Sequence, residues 1–239
     1  CVGERPMLFH LGKDPFEIES IHLEMEAAIP FHYAPKSAID CALYDLQGRI
    51  LDTPVYNLLG GKIRGEMPSF DILPLESPEK TAEIALAAQA EGTKAFKVKM
   101  NRDVKTSVAR VRAVRDAAGG ETMLVVDANS SWTPKLAISV CSMIEEYDVT
   151  MVEQPVPGHD LDGMEFITRN TRVRIGADES MRPDYMTDLM RRRAADVVNI
   201  KVNREGGLLP SKKAAALAEA NGIEGLCGSV IQGALIDAA

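Results

Sequence analysis

Six charged residues stand at or near the ends of short apolar runs. Lys97 and Lys99 lie in AFKVKM, Asp127 in VVDAN, Glu153 in MVEQP, Asp178 in GADES and Lys201 in VVNIKVN. Each run reads as a strand, so each charge sits where a buried strand emerges. From Lys99 onward these charges follow at intervals of 28, 26, 25 and 23 residues. Three carboxylates gathered at one place repel and favour each other's protonation. A divalent cation resolves the repulsion, and all-oxygen ligands favour Mg2+ or Mn2+ over zinc. Lys99 precedes the acidic set and Lys201 follows it. Phe96, Val98 and Met100 alternate with Lys97 and Lys99, so both ammonium groups share one strand face. One cation disfavours charge on its neighbour, so Lys97 makes Lys99 a readier base. The chemistry this suits is α-proton abstraction from a small-molecule carboxylate substrate. A cation would hold the carboxylate and stabilise the enediolate, while one lysine takes the proton. The other lysine would return it to the opposite face or act as an acid. Simple salt bridging between lysines and carboxylates is the plainer alternative.

Strict alternation of strand and helix positions these residues. From residue 66 onward seven strand-then-helix units follow one another, beginning with EMPSFDILP and SPEKTAEIALAAQAEG and ending with IEGLCGS and GALIDAA. Ser77 before Pro78 and Thr133 before Pro134 place a cap and a first-turn proline at two helix starts. Such alternation means an α/β protein with a parallel sheet. A barrel is preferred to a doubly wound sheet, because functional residues end five consecutive strands and a barrel gathers all of them at one mouth. No G-x-G-x-x-G follows the first strand. An eight-stranded barrel needs one more strand after Ala239, so residues 66–239 are expected to form a barrel lacking its last strand. Residues 1–65 break the rhythm. DPFEIESIHLEMEAAI and APKSAIDCALYDLQGRIL read as amphipathic helices of an accessory domain. The absence of an initiator Met, together with the missing last strand, suggests a chain truncated at both ends.

Composition removes several classes of function. The chain has 239 residues and a net charge of −8, which argues against nucleic acid as a partner. The arginines of MRRRAAD read as the solvated end of a helix. No apolar run approaches the roughly 18–20 residues that span a membrane, and the first residues do not read as a signal peptide. Cys1, Cys41, Cys141 and Cys227 are widely spaced, without a CxxC pair, so neither a zinc site nor a disulfide framework is expected and a reducing cytoplasm is the default. None of the four histidines falls at a barrel strand end, and His159 reads as a surface residue. Trp132 reads as packing at a helix start rather than lining the mouth.

KVK, DAN, EQP, ADES and NIK, in this order and spacing, resemble the enolase superfamily, in particular its muconate-lactonizing subgroup (mandelate racemase/muconate lactonizing enzyme-like). PKSAIDCALYDLQGRILDTPVYNLLGG resembles that family's junction between cap and barrel. The resemblance covers nearly the whole chain. It implies a (β/α)7β-type TIM barrel beneath an α+β capping domain, only part of which, residues 1–65, is in this chain. It also implies an essential Mg2+ and a homo-oligomer. By motif, Asp127, Glu153 and Asp178 match metal ligands, and Lys99 and Lys201 match the acid/base pair. Lys97 matches a residue that meets the substrate carboxylate and tunes its partner. Asn129 and Glu179 match positions that support the ligands. Lys201, Asp178 in place of Glu, and a CGS without histidine point away from the mandelate racemase subgroup. Gln232, in GSVIQGA, stands near the family's usual Glu and weakens assignment to muconate cycloisomerase itself. The expected activity is a racemase or epimerase acting on an amino-acid derivative. A lyase on the same scaffold, either a dehydratase or a cycloisomerase, is the alternative, and a non-catalytic binding protein is third.

Overall fold

The computed structural model describes residues 12–229. In chain order the elements are α1 (Ile18–Ala28), α2 (Tyr33–Ile50), α3 (Val55–Leu58), β1 (Asp71–Leu73), α4 (Pro78–Ala90), β2 (Ala95–Lys99), α5 (Val104–Ala118), β3 (Met123–Asp127) and α6 (Pro134–Ile144). There follow β4 (Met151–Glu153), α7 (Leu161–Asn170), β5 (Arg174–Ala177), α8 (Met186–Arg192), β6 (Val197–Lys201), α9 (Val202–Glu205), α10 (Leu208–Ala220) and β7 (Glu224–Gly228). The chain divides into two compact units. The larger holds Met67–Asn199 and Ala218–Leu226. The smaller holds the described residues up to Glu66, Ile200–Leu217 and those from Cys227 on.

The strands form one seven-stranded sheet in the order β1 to β7. Pairing is parallel throughout β1 to β6. The order never reverses, so the sheet is singly wound and has no switch point of the doubly wound kind. Both faces of β2 to β6 are largely buried, as expected of a parallel sheet, whereas the edge strands β1 and β7 are mostly exposed. Phe96, Val98, Leu124, Val126, Val152, Ile175 and Val198 form one buried face. On the other face Val125, Met151 and Val197 pack as a cluster with Leu226. Gly176 lies in register with Val197. A β-carbon on Gly176 would stand 2.6 Å from Met151 Sδ, so the glycine makes room for that side chain. Each fully buried aliphatic side chain contributes about 1.5–3 kcal/mol relative to exposure.

The predicted helix starts are found. Ser77 Oγ accepts from Lys80 N–H and Thr133 Oγ1 from Leu136 N–H, each with proline in the first turn. The strands are shorter than the runs the sequence suggested, and two of them have a clear backbone cause. β1 is confined to Asp71–Leu73 between Pro68 and Pro74, whose nitrogens cannot donate to a ladder. β4 stops at Glu153 because Gln154 turns to φ +38 before Pro155.

In the smaller unit Asp40 of α2 is completely buried. Its Oδ1 lies 2.6 Å from His22 Nε2 of α1, and its Oδ2 accepts from Leu208 N–H at 2.5 Å. Gly207 adopts φ +132 against this carboxylate, where a β-carbon would clash. Among the described residues no helix is long and apolar enough to cross a membrane.

Candidate active site

The ends of the larger unit's strands carry the charged residues in one register. Lys99 is paired across the ladder with Asp127, Asp127 with Glu153, and Glu153 with Gly176. Residues level on adjacent parallel strands project to the same face, as do residues two apart along a strand. Lys97, Lys99, Asp127, Glu153 and Asn199 therefore share the face floored by Val125, Met151 and Val197. Asp178 follows the end of β5, two residues after Gly176 and in phase with it.

All three carboxylates are buried, with Asp127 at 2%, Glu153 at 0% and Asp178 at 5% exposure. Lys99 Nζ donates to Asp127 Oδ2 at 2.6 Å and to Asn129 Oδ1 at 2.8 Å. Asn129, in the left-handed region at φ +43, donates its own N–H to Asp127 Oδ1 at 2.9 Å. Lys97 pairs with Glu153 Oε2, stands 4.0 Å from Asp127 Oδ2, and lies 4.8 Å from the centroid of the Phe70 ring. The other Glu153 oxygen accepts from Asn199 Nδ2 at 2.9 Å. Burial pushes the Glu153 carboxyl above its ordinary range. Lys97 opposes that shift, and Asp127 and Asp178 add to it. Glu179 is raised as well, first by burial and then by Asp178, and its Oε2 is buried without a hydrogen-bond partner. Burial and neighbouring carboxylates thus both raise Glu153 and Glu179 at these strand ends.

The salt bridging foreseen as the plainer alternative is present. Lys97 and Lys99 take carboxylate oxygens, and among the described residues no three His, Cys, Asp or Glu side chains converge closely enough to hold a metal ion as they stand. The donor chemistry nevertheless fits a hard divalent cation. The carboxylates offer only oxygen, they are buried, and burial raises the Glu153 carboxyl even beside Lys97. Lys201 is the last residue of β6, in phase along the strand with Val197 and Asn199, and belongs to the smaller unit. Trp132 is buried and its indole N–H donates to Asn101 O at 3.1 Å, the packing role at a helix start. His159 is exposed. Gln232 lies outside the described residues.

Three residues of this region carry weight that their motifs did not disclose. Asn199 supports Glu153, and its signal was a polar residue in phase with Lys201 inside VVNIK. Arg110 of α5, buried at 3% exposure, donates to the Lys99 carbonyl at 2.5 Å and pins that strand end. Helical spacing alone offers no sign of it. Gln154 of EQP is completely buried, and both ends of its amide are bonded. A residue before proline is biased towards extended backbone, so its left-handed turn was not readable.

Comparison with known proteins agrees with this architecture. Residues 80–239 match the enolase C-terminal domain-like family, and residues 5–60 match the mandelate racemase/muconate lactonizing enzyme N-terminal domain. The chain belongs to the mandelate racemase/muconate lactonizing enzyme family of the enolase superfamily. It is 34% identical over 223 residues to a hydrophobic dipeptide epimerase of Enterococcus faecalis, covering 93% of this chain and 63% of the relative. A crystal structure of the dipeptide epimerase from that organism, complexed with Mg and the dipeptide L-Leu-L-Tyr, superposes with a TM-score of 0.88 at 35% identity, covering 92% of this chain and 62% of the other. The N-succinyl Arg/Lys racemase of Bacillus cereus gives 0.93 at 33% identity, covering 95% and 62%. A chloromuconate cycloisomerase of Cupriavidus necator is 31% identical over 224 residues, covering 92% of this chain and 60% of that protein. The chain therefore spans about three fifths of the length of these relatives, all of them enzymes.

Proposed function

We propose that this chain carries the proton-transfer machinery of a Mg2+-dependent racemase or epimerase acting α to a carboxylate, on a dipeptide or N-acylated amino acid. The observation that carries the reading is the row Lys99–Asp127–Glu153, level on three adjacent strands and buried at their ends. Asp127, Glu153 and Asp178 would hold the cation, and its charge, when bound, offsets the negative charge that develops on the substrate carboxylate. Lys99 Nζ, held by Asp127 and Asn129, removes the α-proton. Lys201 serves the opposite face of the same carbon. Lys97 meets the substrate carboxylate, and Asn129 and Glu179 support the ligand side chains. The sheet is read as the main part of a (β/α)7β barrel formed by residues 66–239, with residues 1–65 as part of its cap. Likeness to the dipeptide epimerase and the N-succinyl racemase supports the substrate class.

A lyase using one lysine as base and the other as acid is the second reading, favoured by likeness to the cycloisomerase. Incubation with Mg2+ and a panel of dipeptides and N-acyl amino acids in D2O separates the two. Deuterium at the α-carbon of both stereoisomers, followed by proton NMR and chiral chromatography, is the expected result. A dehydrated or cyclised product without epimerisation would overturn the racemase reading in favour of the lyase.

A further inference from the structure

The geometry points to Gln154 as a positioning residue that holds the cation-binding carboxylates in place before any cation binds. The inference rests on the reading of Asp127, Glu153 and Asp178 as ligands, and extends it to a residue that touches no cation itself. Gln154 directly follows Glu153 and adopts φ +38, a conformation that side-chain-bearing residues seldom take without compensation. Its side chain provides that compensation. Oε1 accepts from Asp178 N–H at 2.9 Å and from Ser180 N–H at 3.0 Å. Nε2 donates to Ser180 Oγ and to Val156 O, both at 2.8 Å. The main chain of the same residue completes the set. Its N–H donates to Gly176 O at 2.8 Å, and its carbonyl accepts from Ser130 N–H at 2.8 Å. One residue therefore bonds to the segment that follows Asp127 and to both sides of the Asp178 turn, and continues directly from Glu153. Gly158 brings the same loop against the β5 turn a second time, since a β-carbon there would stand 2.6 Å from Glu179 O.

A buried amide of this kind has few alternatives. If it is removed, two buried N–H groups at the Asp178 turn lose their acceptor, so the turn must shift to find others. Groups that orient metal ligands typically contribute about 10–100-fold to metal affinity. Gln154→Met keeps the length of the side chain and removes both ends of the amide.

The test is Mg2+ titration of the full-length protein by calorimetry, alongside its urea unfolding midpoint, for the wild type, Gln154→Met, Ser180→Ala and Asp178→Asn. The expected result is a loss of about 10–100-fold in Mg2+ affinity for folded Gln154→Met. Ser180→Ala, which retains both bonds to Oε1, should lose only a few-fold. A purely structural role would lower the midpoint and leave the affinity of the folded protein unchanged, and that outcome overturns the inference. If Gln154→Met does not fold, Ser180→Ala decides, and unaltered affinity there is the contrary result. Asp178→Asn separates the two levels of the argument. Wild-type affinity in Asp178→Asn refutes the ligand reading, whereas weak binding in Asp178→Asn with wild-type binding in Gln154→Met refutes only the role of Gln154.

Discussion

Lys97 and Glu153 form a buried pair whose partners depend on each other in a measurable way. Glu153 is fully buried and its carboxyl is already raised by burial, with Lys97 as the opposing charge. Removing one member of such a pair typically costs about 3–5 kcal/mol, because the other is left uncompensated. Lys97→Met should therefore lower stability by about 3 kcal/mol in urea unfolding without added Mg2+. Adding Glu153→Gln to that variant should recover most of the loss, since it removes the stranded charge. Failure of the second substitution to recover stability would show that Lys97 contributes through packing alone. The charged residues themselves were the most legible part of the sequence. A lysine or carboxylate that closes an apolar run is visible without any structure, and its phase along the strand predicts the shared face. Their neutral neighbours were not legible. The roles of Arg110, Asn199 and Gln154 come from hydrogen bonds between segments distant in the chain, which spacing does not encode.

Elements were readable where local chemistry fixes them and misread where the backbone departs from its commonest conformations. The serine–proline and threonine–proline helix starts were found because cap and first turn are local. The end of β4 was missed because Gln154 is held left-handed by bonds to the β5 turn, not by its own preference. Gly176 shows how one strand's sequence answers to its neighbour. It leaves space that the Met151 side chain fills. Gly176→Val should overpack this layer and cost about 1–3 kcal/mol, read as a lower unfolding midpoint. An unchanged midpoint would mean that the methionine swings aside without loss.

Across the whole molecule, the order of seven strands followed from the alternation of apolar strand and amphipathic helix, and the parallel sheet confirms it. Substrate choice was not legible. The residues that contact the far end of a substrate leave no period in the sequence, and the similar proteins include epimerases, a racemase, a dehydratase and cycloisomerases alike. The central claim concerns two lysines, Lys99 at the end of β2 and Lys201 at the end of β6. If each serves one face of the α-carbon, the loss of one should have a stereochemical signature. The decisive measurement is α-proton exchange in D2O with Mg2+ and separated stereoisomers of one turned-over substrate, followed by NMR for Lys99→Ala and Lys201→Ala. The account predicts that each variant loses interconversion by at least about 100-fold, while still exchanging the α-proton of one stereoisomer, and that the two variants spare opposite stereoisomers. Wild-type interconversion in either variant, or the same stereoisomer spared in both, would contradict it.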